Sequence, residues 1–321
     1  MQISLLDRTR TRVGETDAQA VAATVERAVR ADELGFHGFW VAEHHSVPGI
    51  ASATPGLLLA SIGARTRRIR LGTGGIMVPN HRPLVIAEQA ALLEALHPGR
   101  VDLGLGGSLG FIPAVREALG RMRVSDEEYR DEVAQVRAFL HGEGPVRTMP
   151  RVAAPPIFLL AIRGGLKLAA ELGLPAIVGG SLLDNADALE RYRSSYVPSV
   201  AAPEPRLIAN VDVMVASTRE RARELLLPET WALADSRNVG EFRALQPVEE
   251  VHRLRAAAGP KQQQEIAQQV RRGIAGTADE VAERLEELVA RTGAEGLLVS
   301  SSTFDREAVA ATDEALAALL T

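Results

Sequence analysis

The string "VAEHHSVPG" at positions 41–49 sets a carboxylate and two imidazoles, Glu43, His44 and His45, side by side behind an apolar run. Two of the seven histidines in the chain sit here. Adjacent residues leaving a strand point to opposite sides, so His44 and His45 rarely share one ion. Nothing in the chain spaces zinc ligands along a helical face either, and no metal is expected. The residue types favour one histidine facing a pocket as an acid, a base or a hydrogen-bond donor. The plain alternative is a pair of structural histidines. Two other catalytic patterns are weak. In "GLGGSLG" Leu109 stands where a dinucleotide loop needs its third glycine, and no G-x-S-x-G serine elbow occurs.

What must position these residues is a repeated unit. Helix-like stretches end on glycine and a short apolar run follows, as in "ADELG-FHGFWVAE", "ALHPG-RVDLGLGG", "AAELG-LPAIVGG" and "VARTG-AEGLLVSS". Glycine past a helix supplies the left-handed residue that stops it, and the run behind reads as a buried parallel strand. The pattern predicts strands near 2–7, 38–42, 69–73, 100–105, 156–161, 175–179, 206–215 and 295–301, alternating with helices. That alternation is α/β, and eight units in one chain favour a (β/α)8 TIM barrel over an open sheet. One barrel domain spans 1–321, and the stretches 107–125 and 227–275 read as insertions, part helical and part mobile. "KQQQEIAQQ" reads as a polar helix.

In such barrels chemistry sits at the C-terminal strand ends. Those ends read Glu43-His44-His45, Gly74-Gly75-Ile76-Met77, Gly106-Gly107-Ser108, Arg163-Gly164-Gly165, Gly179-Gly180-Ser181 and Ser300-Ser301-Ser302. Glycine at so many ends lets backbone approach a flat or phosphorylated ligand, although tight turns alone also need glycine. A net charge of −5 argues against a nucleic-acid surface. No apolar run approaches a membrane span and no charged leader opens the chain, so a cytoplasmic location is expected. The absence of cysteine excludes disulfides, thiolate metal sites and a cysteine nucleophile.

"GFHGFWVAEHHSVPGIASATP", "RRIRLGTGGIMVPNHRPLVIAEQAALLEALHPGRVDLGLG" and "GTADEVAERLEEL" together resemble the bacterial luciferase-like flavin-dependent monooxygenases. The likeness is dense over the first 106 residues and returns near 273–301; within the family it leans toward antibiotic-tailoring oxygenases. It implies a barrel that uses reduced FMN, supplied by a separate reductase, and dioxygen to epoxidise or hydroxylate a bulky small-molecule substrate such as a secondary metabolite. It also implies that His44 is catalytic, with His45 and Glu43 as its neighbours. A non-prolyl cis peptide beneath the flavin falls on Gly74-Gly75. The family often carries Arg after the fourth strand for the flavin phosphate, but Gly106 and Gly107 stand there. The "AIRGGLKLAAELG" loop offers a replacement: Gly164 and Gly165 open a helix whose amides favour an anion, with Arg163 before them.

Two other functions stay open on the same fold, a deazaflavin-dependent hydride-transfer oxidoreductase and a catalytically silent flavin-binding protein. Finally, "TPGLLLASIGA" (54–64) and "PLVIAEQAALLEAL" (83–96) are apolar around much of their circumference, broken in the second only by Glu88, Gln89 and Glu94. A barrel's outer helices should show solvent a polar face, so these predict a homodimer interface, as the resemblance also implies.

Overall fold

The computed structural model describes residues 1–110, 112–161, 164–199 and 201–320, and of Asn238 only the backbone. Its strands, in chain order, are β1 (Gln2–Asp7), β2 (Gly38–Val41), β3 (Arg70–Thr73), β4 (Ile76–Met77), β5 (Val101–Gly106), β6 (Ile157–Ala161), β7 (Ala176–Gly179), β8 (Leu207–Val215), β9 (Ile274–Gly276) and β10 (Gly296–Ser300). Eight of them run parallel in the order β10-β1-β2-β3-β5-β6-β7-β8, and a β10–β8 pairing closes the ring into a (β/α)8 barrel. The two remaining strands are short additions at the rim, β4 beside β5 and β9 beside β8.

The eight barrel strands lie where the apolar runs place them, to within one residue at each end. The residual offset has a cause. Arg100, Pro156, Pro175 and Arg206 each precede a strand yet already accept a ladder bond, from Leu71, Leu103, Leu159 and Ala176 at 2.6–2.9 Å. Their carbonyls belong to the sheet before their own amides do. Gly35, Gly173 and Gly293 cap their helices with φ of 87°, 63° and 62°, which only glycine adopts freely. Gly99 differs: the helix Pro83–Leu96 has already stopped at His97, because Pro98 cannot continue it.

Alternation along each strand divides the core in two. Residues such as Ile3, Leu5, Phe39, Val41, Leu103 and Leu105 point outward and pack under the helices. The inward set is smaller and built around Trp40, which meets Phe158 edge-on with ring centroids 5.4 Å apart, alongside Leu6, Ile177 and Leu298. Two glycines make room for it. A Cβ on Gly72 would lie 2.0 Å from the Trp40 ring, and one on Gly104 would lie 2.0 Å from the Thr73 carbonyl. At the opposite end of the barrel Arg70 grips Asp102 with two bonds of 2.6 and 2.8 Å. The interior is therefore a packed plug, and chemistry is confined to the end where β2 runs out into Glu43.

Beyond the barrel's own helices, the chain folds the helices Pro113–Ala118, Arg219–Val239, Val248–Ala256 and Pro260–Arg272. The last contains the polar "KQQQEIAQQ" string. Among the described residues no helix is long and apolar enough to cross a membrane.

Candidate active site

Glu43 leaves β2 with its carboxylate turned inward and only 3% of the residue exposed. A buried carboxylate is costly unless donors surround it. Here His45 Nε2 lies 2.6 Å and His81 Nε2 2.8 Å from Oε1, while the Met77 amide donates to Oε2 at 3.1 Å. Burial alone would raise the Glu43 carboxyl, but the bonds from His45, His81 and Met77 outweigh it and hold the group below its ordinary value. The carboxylate thus ties the loop after β2 to the rim segment that follows β3.

Glu43, His45 and His81 also bring three potential metal-ligand atoms within 4.8 Å of one another. In the structure the same atoms are joined by the hydrogen bonds to Glu43. The expectation that His44 and His45 diverge holds, since His45 turns to Glu43 and His44 turns away. His81 lies in the "NHRP" stretch of the family-like string, and the sequence attaches no role to it; its place beside Glu43 comes from the fold.

His44 is held by its backbone. Its amide donates to the Ser52 carbonyl at 2.9 Å, and the Ser52 hydroxyl donates to the Ala42 carbonyl at 2.8 Å, closing the loop on itself. The imidazole packs edge-on against Phe242, centroids 6.4 Å apart. Behind it runs a buried charge network that no sequence signal marked. Arg10 donates to Glu229 at 2.8 Å and to the Gly49 carbonyl at 2.7 Å, and Arg8 lies 3.6 Å from Glu229 and 3.5 Å from Asp212. Thr9 between the two arginines has a left-handed φ of 50°, so the chain turns there instead of running on as a strand, and both guanidinium groups reach Glu229. Glu229 comes from the helix Arg219–Val239, more than 200 residues away, and nothing local announces it.

The network sets the charge on His44. Burial first, then Arg8 and Arg10, lower its pKa from 6.5 to about 4, so the imidazole is neutral at neutral pH. Its Nδ1 is buried and, among the described residues, has no hydrogen-bond partner. A neutral imidazole with a free ring nitrogen can exchange a hydrogen bond or accept a proton; it cannot serve as a resting cationic acid.

The glycine ends behave unequally. Gly74-Gly75 is joined by a cis peptide, and the Gly74 amide donates to the Val41 carbonyl at 2.7 Å, beside the strand that carries the histidines. A Cβ on Gly74 would lie 2.5 Å from Leu6, and one on Gly75 2.8 Å from the Gly104 carbonyl. Gly106 has ordinary space around it, whereas a Cβ on Gly107 would meet the Tyr129 ring at 2.9 Å. Tyr129 therefore occupies the volume that a side chain at position 107 would need. Among the described residues nothing lies within 4 Å of where a Cβ on Gly164 would be, and the helix Gly165–Leu172 starts there with amides that have no intrahelical acceptor. Arg163 lies outside the described residues.

The residues at this rim fit a flat, phosphorylated cofactor: close-approach glycines, an open helix start and an orphaned imidazole nitrogen. Comparison with known proteins agrees in kind. The profile of the luciferase-like monooxygenases matches residues 1–296. The chain belongs to that family. It is an oxidoreductase by that membership. It is similar to a luciferase-like monooxygenase of Escherichia coli (strain K12), 31% identical across 95% of this chain and 92% of the relative. It is also similar to the 4-hydroxyprotoasukamycin monooxygenase of Streptomyces nodosus subsp. asukaensis, 30% identical across 92% and 85%. Among solved structures, apo-MsnO8 superposes with a TM-score of 0.89 at 30% identity, covering 100% of this chain and 99% of that one.

The pH behaviour of the site follows. The depressed Glu43 pKa adds stability above the ordinary value of 4.5, lost as pH falls through the folded value. The depressed His44 pKa penalises its charged form, so its share is present above 6.5 and lost as pH falls toward about 4. Glu43→Gln should lower stability at pH 7 by about 1.5–3 kcal/mol for each charge-assisted bond it weakens. That deficit should shrink below pH 4.5. His44→Gln should flatten the loss of stability between pH 6.5 and 4. Urea midpoints at several pH values check both; curves that stay parallel to wild type would contradict the assignments.

Proposed function

We propose that the protein is an FMN-dependent monooxygenase that uses reduced flavin and dioxygen to epoxidise or hydroxylate a bulky organic substrate of secondary metabolism. The reading rests above all on His44, a neutral buried imidazole with a free nitrogen, next to the strand end that carries the cis Gly74-Gly75 peptide. Reduced flavin, when bound, supplies the electrons that activate dioxygen. The chain supplies the rest. Gly74 and Gly75 pack closely on Leu6 and the Gly104 carbonyl and present bare backbone at the strand end, the plug around Trp40 fills the barrel interior, and Glu43 holds His45 and His81 so that the loop bearing His44 stays in place. His44 exchanges a hydrogen bond or proton with what forms at the reacting centre. The similarity to a 4-hydroxyprotoasukamycin monooxygenase supports a metabolite substrate. A separate reductase delivers the reduced flavin, and the enzyme works in the cytoplasm.

Turnover of candidate polyketide substrates under ¹⁸O₂ with enzymatically reduced FMN should place one labelled oxygen in the product. Under the same conditions His44→Ala should retain FMN binding and lose about 10²–10⁴-fold in turnover. Anaerobic turnover with a reduced deazaflavin, and none with FMN and oxygen, would establish hydride transfer in its place.

The flavin phosphate is assigned to Arg163 with the helix start at Gly164 and Gly165, since Tyr129 fills the space at Gly107. Arg163→Ala should weaken FMN binding by about 10- to 100-fold, the range of one lost charge-assisted hydrogen bond. Riboflavin, which lacks the phosphate, should bind as before. Equal losses for both flavins would remove Arg163 from that role.

The helices Pro55–Arg65 and Pro83–Leu96 support a homodimer. Leu57 is 74% exposed, and Val85, Leu92 and Leu96 are 42–56% exposed in one stripe. Glu94, one of the few charges on the second helix, is turned inward to accept from the Gly99 amide, which leaves the outer face more apolar still. Light scattering at micromolar concentration should give twice the mass of one chain, and Leu92→Lys with Leu96→Lys should reduce it to the single-chain value. A single-chain mass for the wild type would refute this assembly.

A further inference from the structure

Outside the barrel, a cavity of about 610 Å³ lies where the helices Arg219–Val239, Val248–Ala256, Pro260–Arg272 and Ala278–Thr292 meet β9. Arg219, Arg223, Arg255, Arg271 and Arg284 line it, contributed by all four helices. Its floor is apolar, formed by Leu227, Val270 and Ala275. Carboxylates balance these cations only in part, with Glu280 near Arg219, Arg223 and Arg284 and Glu287 near Arg284. Glu280 accepts from Arg219 at 2.6 Å, and Glu224, the acidic residue on the cavity wall, lies 3.4 Å from Arg221, which does not line the cavity. Among the described residues no ion pair engages Arg223, Arg255, Arg271 or Arg284. The Arg284 guanidinium is half-buried, with Nη1 and Nη2 directed at the Ala275 and Gly273 carbonyls at 3.5 and 3.2 Å. Burial, and after it the charges of Arg219 and Arg223, hold its pKa below the ordinary arginine value.

Arg219, Arg223 and Arg271 are exposed and Arg255 and Arg284 half-buried; like charges gathered in a hollow repel, less so where water screens them, and an anion relieves that repulsion. We propose that this cavity is a second binding site, separate from the barrel mouth, for a phosphorylated small molecule with a flat or apolar body, of nucleoside diphosphate size. The guanidinium fork matches phosphate oxygens two at a time, which a cluster of lysines would not do. Four unpaired arginines exceed what a single carboxylate can balance, whereas a diphosphate carries enough charge to engage several. The apolar floor gives the body of the ligand a surface to cover. The volume falls in the range of small-molecule pockets, about 300–1,000 Å³. A nucleic acid fits less well, because the chain as a whole carries a net charge of −5 and the arginines are gathered in a hollow.

The proposal is independent of the oxygenase reading, since none of these residues belongs to the site around His44. Its test is calorimetric titration of the full chain with ADP, pyrophosphate and adenosine, each with and without saturating FMN. ADP should bind one per chain whether or not FMN is present, pyrophosphate more weakly, and adenosine not measurably. The double variant Arg223→Glu, Arg255→Glu changes two side chains without ion-pair partners and should keep its fold, checked by its FMN affinity. It should bind ADP at least about tenfold more weakly, the loss of one charge-assisted contact or more. Absence of saturable ADP binding, an unchanged affinity in the variant, or displacement of ADP by FMN would each overturn the second site. Pyrophosphate binding as tightly as ADP would overturn the role given to the apolar floor.

Discussion

A single buried carboxylate organises the working end of this barrel. Glu43 sits where β2 ends, out of water, and each of its oxygens needs a donor. The donors come from two places in the chain, His45 within its own loop and His81 with the Met77 amide from the segment after β3. Removing any of them leaves the buried carboxylate short of a donor in a low-dielectric setting, so electrostatics adds to the apolar packing of Val41, Ile76 and Val78 in holding the two rim segments together. His44, lying between two residues constrained in this way, inherits its direction from them.

The charge state of His44 depends on a different set of residues. Glu229 binds Arg10 and neighbours Arg8, and those two arginines face the imidazole from behind. Burial would raise the Glu229 carboxyl, yet Arg10 and Arg8 outweigh it and keep it ionised. Asp212, reached by Arg8 across the rim, shows the opposite balance: burial pushes its carboxyl up more than Arg8 at 3.5 Å holds it down. One arginine therefore connects a firmly ionised carboxylate beside the histidine to a more easily protonated one on β8. The helix Arg219–Val239, which carries Glu229, is part of the active end for this reason, although its Arg219, Arg223, Glu224 and Leu227 line the arginine-rich cavity on the outside.

Steric limits at the rim are as strict as the electrostatic ones. Trp40 fills the barrel beneath the histidines, and Gly72 and Gly104 are small because its ring and the Thr73 carbonyl stand 2.0 Å from where their Cβ atoms would be. Tyr129 excludes a side chain at position 107 in the same way. A side chain at position 107 is excluded by packing, while the helix Gly165–Leu172 begins with amides that have no intrahelical acceptor.

The eight strands, their parallel closure and the glycine caps were legible in the chain itself, because burial on both faces of a parallel strand and the left-handed cap each leave a local composition. Glu43, His44 and His45 were legible as a cluster for the same reason: they are contiguous and terminate a strand. The division of labour within the cluster was not. That His45 answers to Glu43 while His44 answers to Arg8, Arg10 and Glu229 depends on side-chain direction at a loop and on contacts spanning more than 200 residues. His81, the obstruction by Tyr129 and the arginine-lined cavity share that dependence. Local sequence determines which elements form and which rim they end on, since period and propensity act over a few residues; which charges meet, and therefore which group is neutral and which is paired, is decided only when the ring closes and distant segments are brought within a few ångströms of one another.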